Sequence, residues 1–339
     1  MNCHVKIALP APDALDPRSL ARELARYRTP SVGRSLFELA VTIVPLFLLA
    51  GASWAGLEAG YPAALLLAVL AGGFVLRLFI IQHDCGHGAY FRSRHANDWL
   101  GRALGVLTVT PYDVWRAAHA EHHASSGNLD RRGTGDVDTL TVAEYRALPF
   151  WGRFGYRAYR HPLTIFGIGP AYLFLLRNRL PVGQMRDGWR PWVSAMGTNA
   201  ALALGVALLA AATGGWSFLL VWVTMLLVGA SAGVWLFYVQ HQFEATFWAR
   251  KPGWSFHDGA LRGASYYALP APLHWITGNI GIHHVHHLVS RIPFYRLTQV
   301  LRDRPALATV NRLTVRESVA CVRLALWDEQ AERLVPFPR

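Results

Sequence analysis

The sequence is short of charge and of cysteine. Only 16% of its 339 residues are Asp, Glu, Lys or Arg, against about a quarter in a soluble domain of ordinary composition. With 53% hydrophobic residues and a mean hydropathy of +0.22, this deficit excludes disorder and argues against an ordinary cytosolic enzyme. Three widely separated cysteines, Cys3, Cys85 and Cys321, exclude a disulfide framework and a cysteine-based zinc ribbon. No basic stretch, short apolar run and small-residue cleavage site opens the chain, so no signal peptide is expected.

What the chain has instead is long apolar runs. Four stretches, at about 37–57, 63–82, 193–212 and 218–240, reach the roughly 20 residues needed to cross a bilayer. Short polar turns, Glu58 to Pro62 and Thr213 to Ser217, join them as two helical hairpins. Two shorter runs, 99–110 and 165–176, fall below spanning length and read as interfacial or re-entrant segments.

A net charge of +12 by itself suggests nucleic acid, but the placement of the basic residues points elsewhere. Six precede the first span, fourteen lie in 83–192 and twelve in 241–339. The hairpin turns carry none, and Arg77 is left near the end of the second span, where it is expected to snorkel. The positive-inside rule puts both termini and the central segment in the cytoplasm. A basic face there meets anionic headgroups rather than nucleic acid.

Of fifteen histidines, nine fall in three short boxes. Residues 83–88 read HDCGHG, 119–123 read HAEHH and 283–287 read HHVHH. On a helix, i, i+3 and i+4 share one face, so His83 and His87, then His119, His122 and His123, then His283, His286 and His287 each converge on a point. Chance produces a lone HxxxH readily, but two HxxHH triplets hardly ever. All three boxes fall on the same predicted side of the membrane, as does His241 at the end of the fourth span. Eight or nine imidazoles are too many for one ion and suit two with four or five nitrogens each. Imidazole binds iron, copper and zinc alike, so residue types leave the metal open. The Glu-x-x-His pattern of carboxylate di-iron bundles is absent, and an all-histidine di-iron centre at the membrane face is the expectation.

These boxes, in this order across four spans, resemble the integral-membrane fatty acid desaturases over about 35–300. The strings WRAAHAEHHASSGNLDRRGTGDVDTLTVAEY (115–145), FYVQHQFE (237–244) and GNIGIHHVHHLVSRIPFYRL (278–297) are most similar to bacterial and cyanobacterial omega-6 (delta-12-type) acyl-lipid desaturases. The resemblance implies two iron ions, O2 as co-substrate and a cis double bond introduced into a long acyl chain of a membrane lipid. It also implies a bacterial inner (plasma) membrane location. Its ligands map onto His83, His87, His119, His122, His123, His283, His286 and His287, with His241 as the ninth. Where some relatives carry an Asn one turn before that last His, this chain has Phe237, and Asn279, one turn before His283, is a candidate substitute.

A ligating His usually donates its other N–H to a carboxylate, carbonyl or water. Asp84, Glu121, Asp138 and Glu244 are the expected partners, with Asp130 and Asp136 also near the boxes. Cys85, His4, His95, His161, His257, His274 and His284 are expected to be structural or exposed. No haem domain, flavin fingerprint or GxGxxG loop is present, so electrons should come from a separate ferredoxin or cytochrome b5 type donor.

The fold expected is an all-α membrane protein of four transmembrane helices. Residues 1–34 form a cytoplasmic N-terminal segment, amphipathic and surface-lying. Residues 35–300 form the desaturase domain, with a helical cytoplasmic cap from 83–192 and 241–300 holding the metals. Residues 301–339 form a partly ordered or helical tail. A related membrane hydroxylase or ketolase would use similar boxes. A zinc transporter would need ligands at mid-bilayer, and here the span centres are apolar.

Overall fold

The computed structural model describes residues 16–133 and 135–338; Cys3, His4 and Lys6 lie outside the described residues. The described residues are mostly helical, and among them four helices are long and apolar enough to cross a membrane: Val32–Glu58, Pro62–Gly86, Trp189–Thr213 and Trp216–His241, called spans 1 to 4. Each extends the apolar run that predicts it by up to about a turn. Ser31 caps span 1 by accepting from Arg34 N. Gly60 (φ 83°) reverses the chain before Pro62, and Gly214 (φ 78°) and Gly215 (φ 92°) do so between spans 3 and 4. Such conformations strain residues that carry a Cβ. Because these two connections are so short, the opposite ends, at Val32, Gly86, Trp189 and His241, carry all the longer segments. Those segments build a polar head.

Spans 2 and 4 touch backbone to backbone. A Cβ on Gly72 would lie 2.7 Å from Val228 Cβ, and one on Gly229 would lie 2.8 Å from the Gly72 carbonyl. Small residues permit this approach, which holds the last turns of the two spans, bearing His83 and His241, side by side. Span 3 is peripheral, with 6% of its apolar window buried.

Arg77 does not snorkel. Its guanidinium is buried, paired with the Glu38 carboxylate of span 1, and it donates to Thr42 Oγ1 (3.1 Å) and to the Trp275 carbonyl of the head. Glu38 and Thr42, one turn apart on span 1, offer an acceptor set at the depth of Arg77. A paired charge therefore has no need of the interface.

The head is built from helices 94–107 and 112–125, the segment 140–188, and residues 242–338. Of the two short apolar runs, 99–110 ends a helix and turns inward, burying Leu104 and Val109. The other, 165–176, winds through two π-helical turns, Thr164–Ile168 and Tyr172–Leu176. Phe166 packs on Trp235 and Tyr238 of span 4 (centroids 5.0 and 5.2 Å), while Ile168 and Tyr172 stay exposed.

Two features differ from the all-helical expectation. Residues 301–338 are folded into the head: strand 312–314 pairs in parallel with 266–268, and 326–328 joins 140–141 and 333–335 in a three-stranded sheet. Leu313, Cys321, Leu326 and Trp327 are buried, and these strands are too short to show a period-2 pattern. The amphipathic helix Pro17–Leu24 buries Leu20 and Leu24 rather than lying free, and Tyr27 donates to Asp303 (2.6 Å).

Arg77→Ala should destabilise the protein by about 3–5 kcal/mol, because it strands the buried Glu38 carboxylate with Arg34 alone. The double variant Glu38→Leu/Arg77→Met should cost much less. Thermal unfolding of the detergent-solubilised protein distinguishes them; equal midpoints for the single and double variants would contradict the pairing.

Candidate metal centre

Four chain segments deliver histidines to one place: the end of span 2, helix 112–125, the end of span 4, and helix 283–288. The nine imidazoles sort into two groups. His83, His87, His119, His123 and His286 form one; His122, His241, His283 and His287 form the other, and within each the ligand atoms lie within 4.8 Å of one another. Boxes two and three each serve both groups. In box two, His119 and His123 (i, i+4) face the first group and His122 the second. In box three, His283 and His287 face the second and His286 the first.

The Nε2 atoms form close chains. His83–His87 is 3.3 Å, His87–His119 3.0 Å, His119–His123 3.1 Å and His123–His286 3.2 Å. In the second group, His241–His283 and His283–His287 are both 3.0 Å. Two nitrogens each about 2.1 Å from a metal are about 3.0 Å apart at a right angle and about 3.4 Å at the tetrahedral angle. The spacing is that of ligands around an ion. A neutral imidazole has one N–H and cannot satisfy several neighbours of the same kind.

The outward nitrogens are held separately. His122 Nδ1 donates to Asp136 Oδ1 (2.5 Å), leaving its buried Nε2 without a partner and aimed inward. His241 Nδ1 donates to the Gly263 carbonyl (3.1 Å). Such outer partners fix tautomer and ring orientation. Asp84 Oδ1 stands 3.5 Å from His83 Nδ1, and Oδ2 accepts from Phe294 N (2.7 Å), tying span 2 to the loop after box three. Burial first, and neighbouring imidazoles second, hold His87, His119, His123, His283, His286 and His287 well below the usual histidine pKa. They are therefore neutral, the form that ligates.

The carboxylates divide differently from expectation. Asp136, not Asp138, reaches a box imidazole. Gly135 (φ 74°) lies so close to helix 112–125 that a Cβ would be 3.2 Å from the Ala118 carbonyl and 3.4 Å from His122 Cβ, and this contact seats Asp136 on His122. Asp138 instead fixes the loop through its backbone, with Tyr159 and Tyr156. Glu121 pairs with Arg131 (2.5 Å) at the surface, Glu244 with Arg333 (3.1 Å), and Asp130 with Arg250 (3.1 Å). A position near a box in sequence says nothing about which way a carboxylate faces, and nearby arginines claim these three.

Asn279 is not one turn ahead of His283 on a shared helix, because that helix begins at His283. Asn279 has φ 53°, and its amide donates to the Phe294 carbonyl (3.4 Å). Phe237 stands beside the second group, its ring centroid 5.1 Å from His122 and 5.2 Å from His241. His284 bonds the Leu307 carbonyl (3.0 Å) and His274 accepts from Leu269 N (3.3 Å), so both brace the head. Cys85 is buried, and His95 and His161 are exposed.

One neighbour escaped the sequence reading. Trp115 stacks on His119 (4.7 Å, 16° between planes) and meets Phe79 edge-on at 5.3 Å. Its position four residues before His119 is the signal that could have found it.

Asp136→Asn should leave the fold intact and weaken metal binding at the second group about 10–100-fold. Titration of the metal-free protein with a divalent transition metal measures this; unchanged affinity would mean that Asp136 does not act through His122.

Comparison with known proteins agrees with this geometry. The family model described as "Fatty acid desaturase" matches residues 59–317. A protein named "Fatty acid desaturase" from Bacillus subtilis (strain 168) is 40% identical over 94% of this chain and 90% of its own length. An "sn-1 acyl-lipid omega-3 desaturase (ferredoxin)" from Synechocystis is 32% identical over 68% of this chain and 64% of its own. An "sn-1 oleoyl-lipid 12-desaturase" from the same organism is 26% identical over 65% of this chain and 62% of its own. With its histidine cluster at the ends of two spans, the chain is a membrane-embedded oxidoreductase and belongs to the fatty acid desaturase family.

Proposed function

We propose that the nine imidazoles hold two iron ions, five on one and four on the other. The enzyme then introduces a cis double bond into a long acyl chain of a membrane lipid. The observation that carries this reading is the sorting of boxes two and three into both groups, which ties two adjacent sites into one rigid unit. Iron with O2 supplies an oxidant strong enough for an unactivated C–H bond. The balanced reaction takes –CH2–CH2–, O2, two electrons and two protons to –CH=CH– and two waters.

The chain's own part is positioning and exclusion of water. Asp136 and the Gly263 carbonyl orient His122 and His241. Trp115 and Phe237 set apolar walls against the two groups. The tight contact of spans 2 and 4 holds the centre at the level where the spans end, within reach of a chain lying in the bilayer.

The basic residues crowd the ends of the spans that carry the head, so both termini and the centre face the cytoplasm of a bacterial cell. The electrons come from a small acidic carrier, a ferredoxin in the names of some relatives. The delta-12 (omega-6) position is the reading from the sequence motifs; relatives named for omega-3 and for 12-desaturation both match, and product analysis separates them.

Expression in a bacterial host lacking dienes, with a compatible ferredoxin system, should yield new unsaturated acids whose bond position gas chromatography reads. His122→Ala should abolish them and lower bound iron. Hydroxy acids would point to an oxygenase, and bound zinc with an unchanged profile would overturn the redox reading.

A further inference from the structure

Helix Phe150–Tyr159 packs with its faces reversed. Its tyrosines turn inward: Tyr156 Oη donates to the Ala325 carbonyl (2.8 Å), and Tyr159 Oη accepts from Asp138 N (3.0 Å). Its large apolar side chains turn outward. Phe150, Trp151 and Phe154, on one face by helical spacing, are 66%, 74% and 59% exposed and cluster with centroids 5.1 and 6.1 Å apart. The apolar surface continues through Leu163, Ile168 and Tyr172, exposed on the segment whose other side rests on span 4. Where helix and segment meet there is a cavity of about 400 Å³ lined by Phe154, Arg157, Ala158, His161 and Thr164.

Charge in this region has one sign. Between Glu144 and Asp187 the chain holds seven arginines and no Asp or Glu. Arg160 and Arg179 are used internally, on the Leu324 carbonyl (2.7 Å) and on Asn199 (2.7 Å). Arg146, Arg153, Arg157, Arg177 and Arg186 are exposed. None of these five forms an ion pair with a described carboxylate; Arg157 instead donates to Tyr145 Oη (2.7 Å) and to the Pro338 carbonyl (2.9 Å). An exposed aromatic face flanked by unopposed arginines, on a segment packed against a spanning helix, has the chemistry of a surface that meets a membrane.

We propose that helix Phe150–Tyr159, with the segment 161–176, lies in the plane of the bilayer surface. It sinks Phe150, Trp151 and Phe154 among the acyl chains and binds anionic phospholipid headgroups through Arg153, Arg157 and Arg177. This rests on the reading of the four long helices as membrane spans and adds a lipid site outside the metal centre. Anionic lipid is favoured over a protein partner because the segment carrying the exposed Leu163, Ile168 and Tyr172 packs through Phe166 on Trp235 and Tyr238 of span 4, which sets the apolar surface beside a spanning helix.

The test uses the full-length protein with Cys3→Ser; Cys85 and Cys321 are buried and spared by a bulky label. Spin labels go on Trp151→Cys, on Leu48→Cys as a lipid-facing reference in span 1, and on Lys251→Cys as a water-facing one. In nanodiscs containing phosphatidylglycerol, the label at 151 should be shielded from a water-soluble nickel chelate about tenfold more than that at 251, and be open to oxygen as at 48. If 151 behaves as 251 while 48 stays shielded, the proposal fails and the spans stand; if 48 is also open to nickel, both readings fail. Native mass spectrometry tests the headgroup contact: Arg153→Glu/Arg157→Glu should lose retained phosphatidylglycerol but not phosphatidylcholine. Unchanged retention would overturn the assignment to anionic lipid.

Discussion

Nine imidazole rings gathered into one core set the terms for the rest of the molecule. A buried polar nitrogen without a partner is costly, and here the nitrogens crowd together at 3.0–3.3 Å with few protein acceptors among them. The arrangement requires each ring to be aimed by its other nitrogen or by packing, and it leaves the inward nitrogens in two groups that could each hold a metal ion. The structure meets that requirement with several unrelated devices: a carboxylate on His122, a carbonyl on His241, and a tryptophan face on His119.

Those devices depend on close approaches elsewhere. Gly72 and Gly229 let spans 2 and 4 touch, and so bring His83 and His241 to the same depth. Asp84 ties span 2 to the loop after box three, and Arg77 ties spans 1 and 2 to helix 271–276. The membrane and head portions are thus joined through the same few residues that place the histidines. The histidine cluster is thereby held at a fixed depth relative to the spans.

How much of this could be read in advance follows from the range of each signal. Span length and histidine spacing are local properties of a helix, and both were legible. The grouping of the nine histidines was not, because it depends on how four segments far apart in the chain pack together. The choice of Asp136 over Asp138, and the loss of Glu121, Glu244 and Asp130 to arginines, depend on loop paths that sequence proximity does not encode. Asn279 fails for a related reason: a helix face was assumed where the chain turns through a left-handed residue.

By itself, the sequence determined the four apolar helices, the absence of basic residues from the two hairpin turns and the nine histidines that the structure gathers, since these follow from hydropathy, charge count and a 3.6-residue period. Only the tertiary structure decided which imidazoles share a site, which carboxylate orients them, that Arg77 is paired rather than snorkelling, and that residues 301–338 are part of the head. Each of these rests on contacts between residues far apart in the chain, whose energy depends on distance and direction that no local pattern carries.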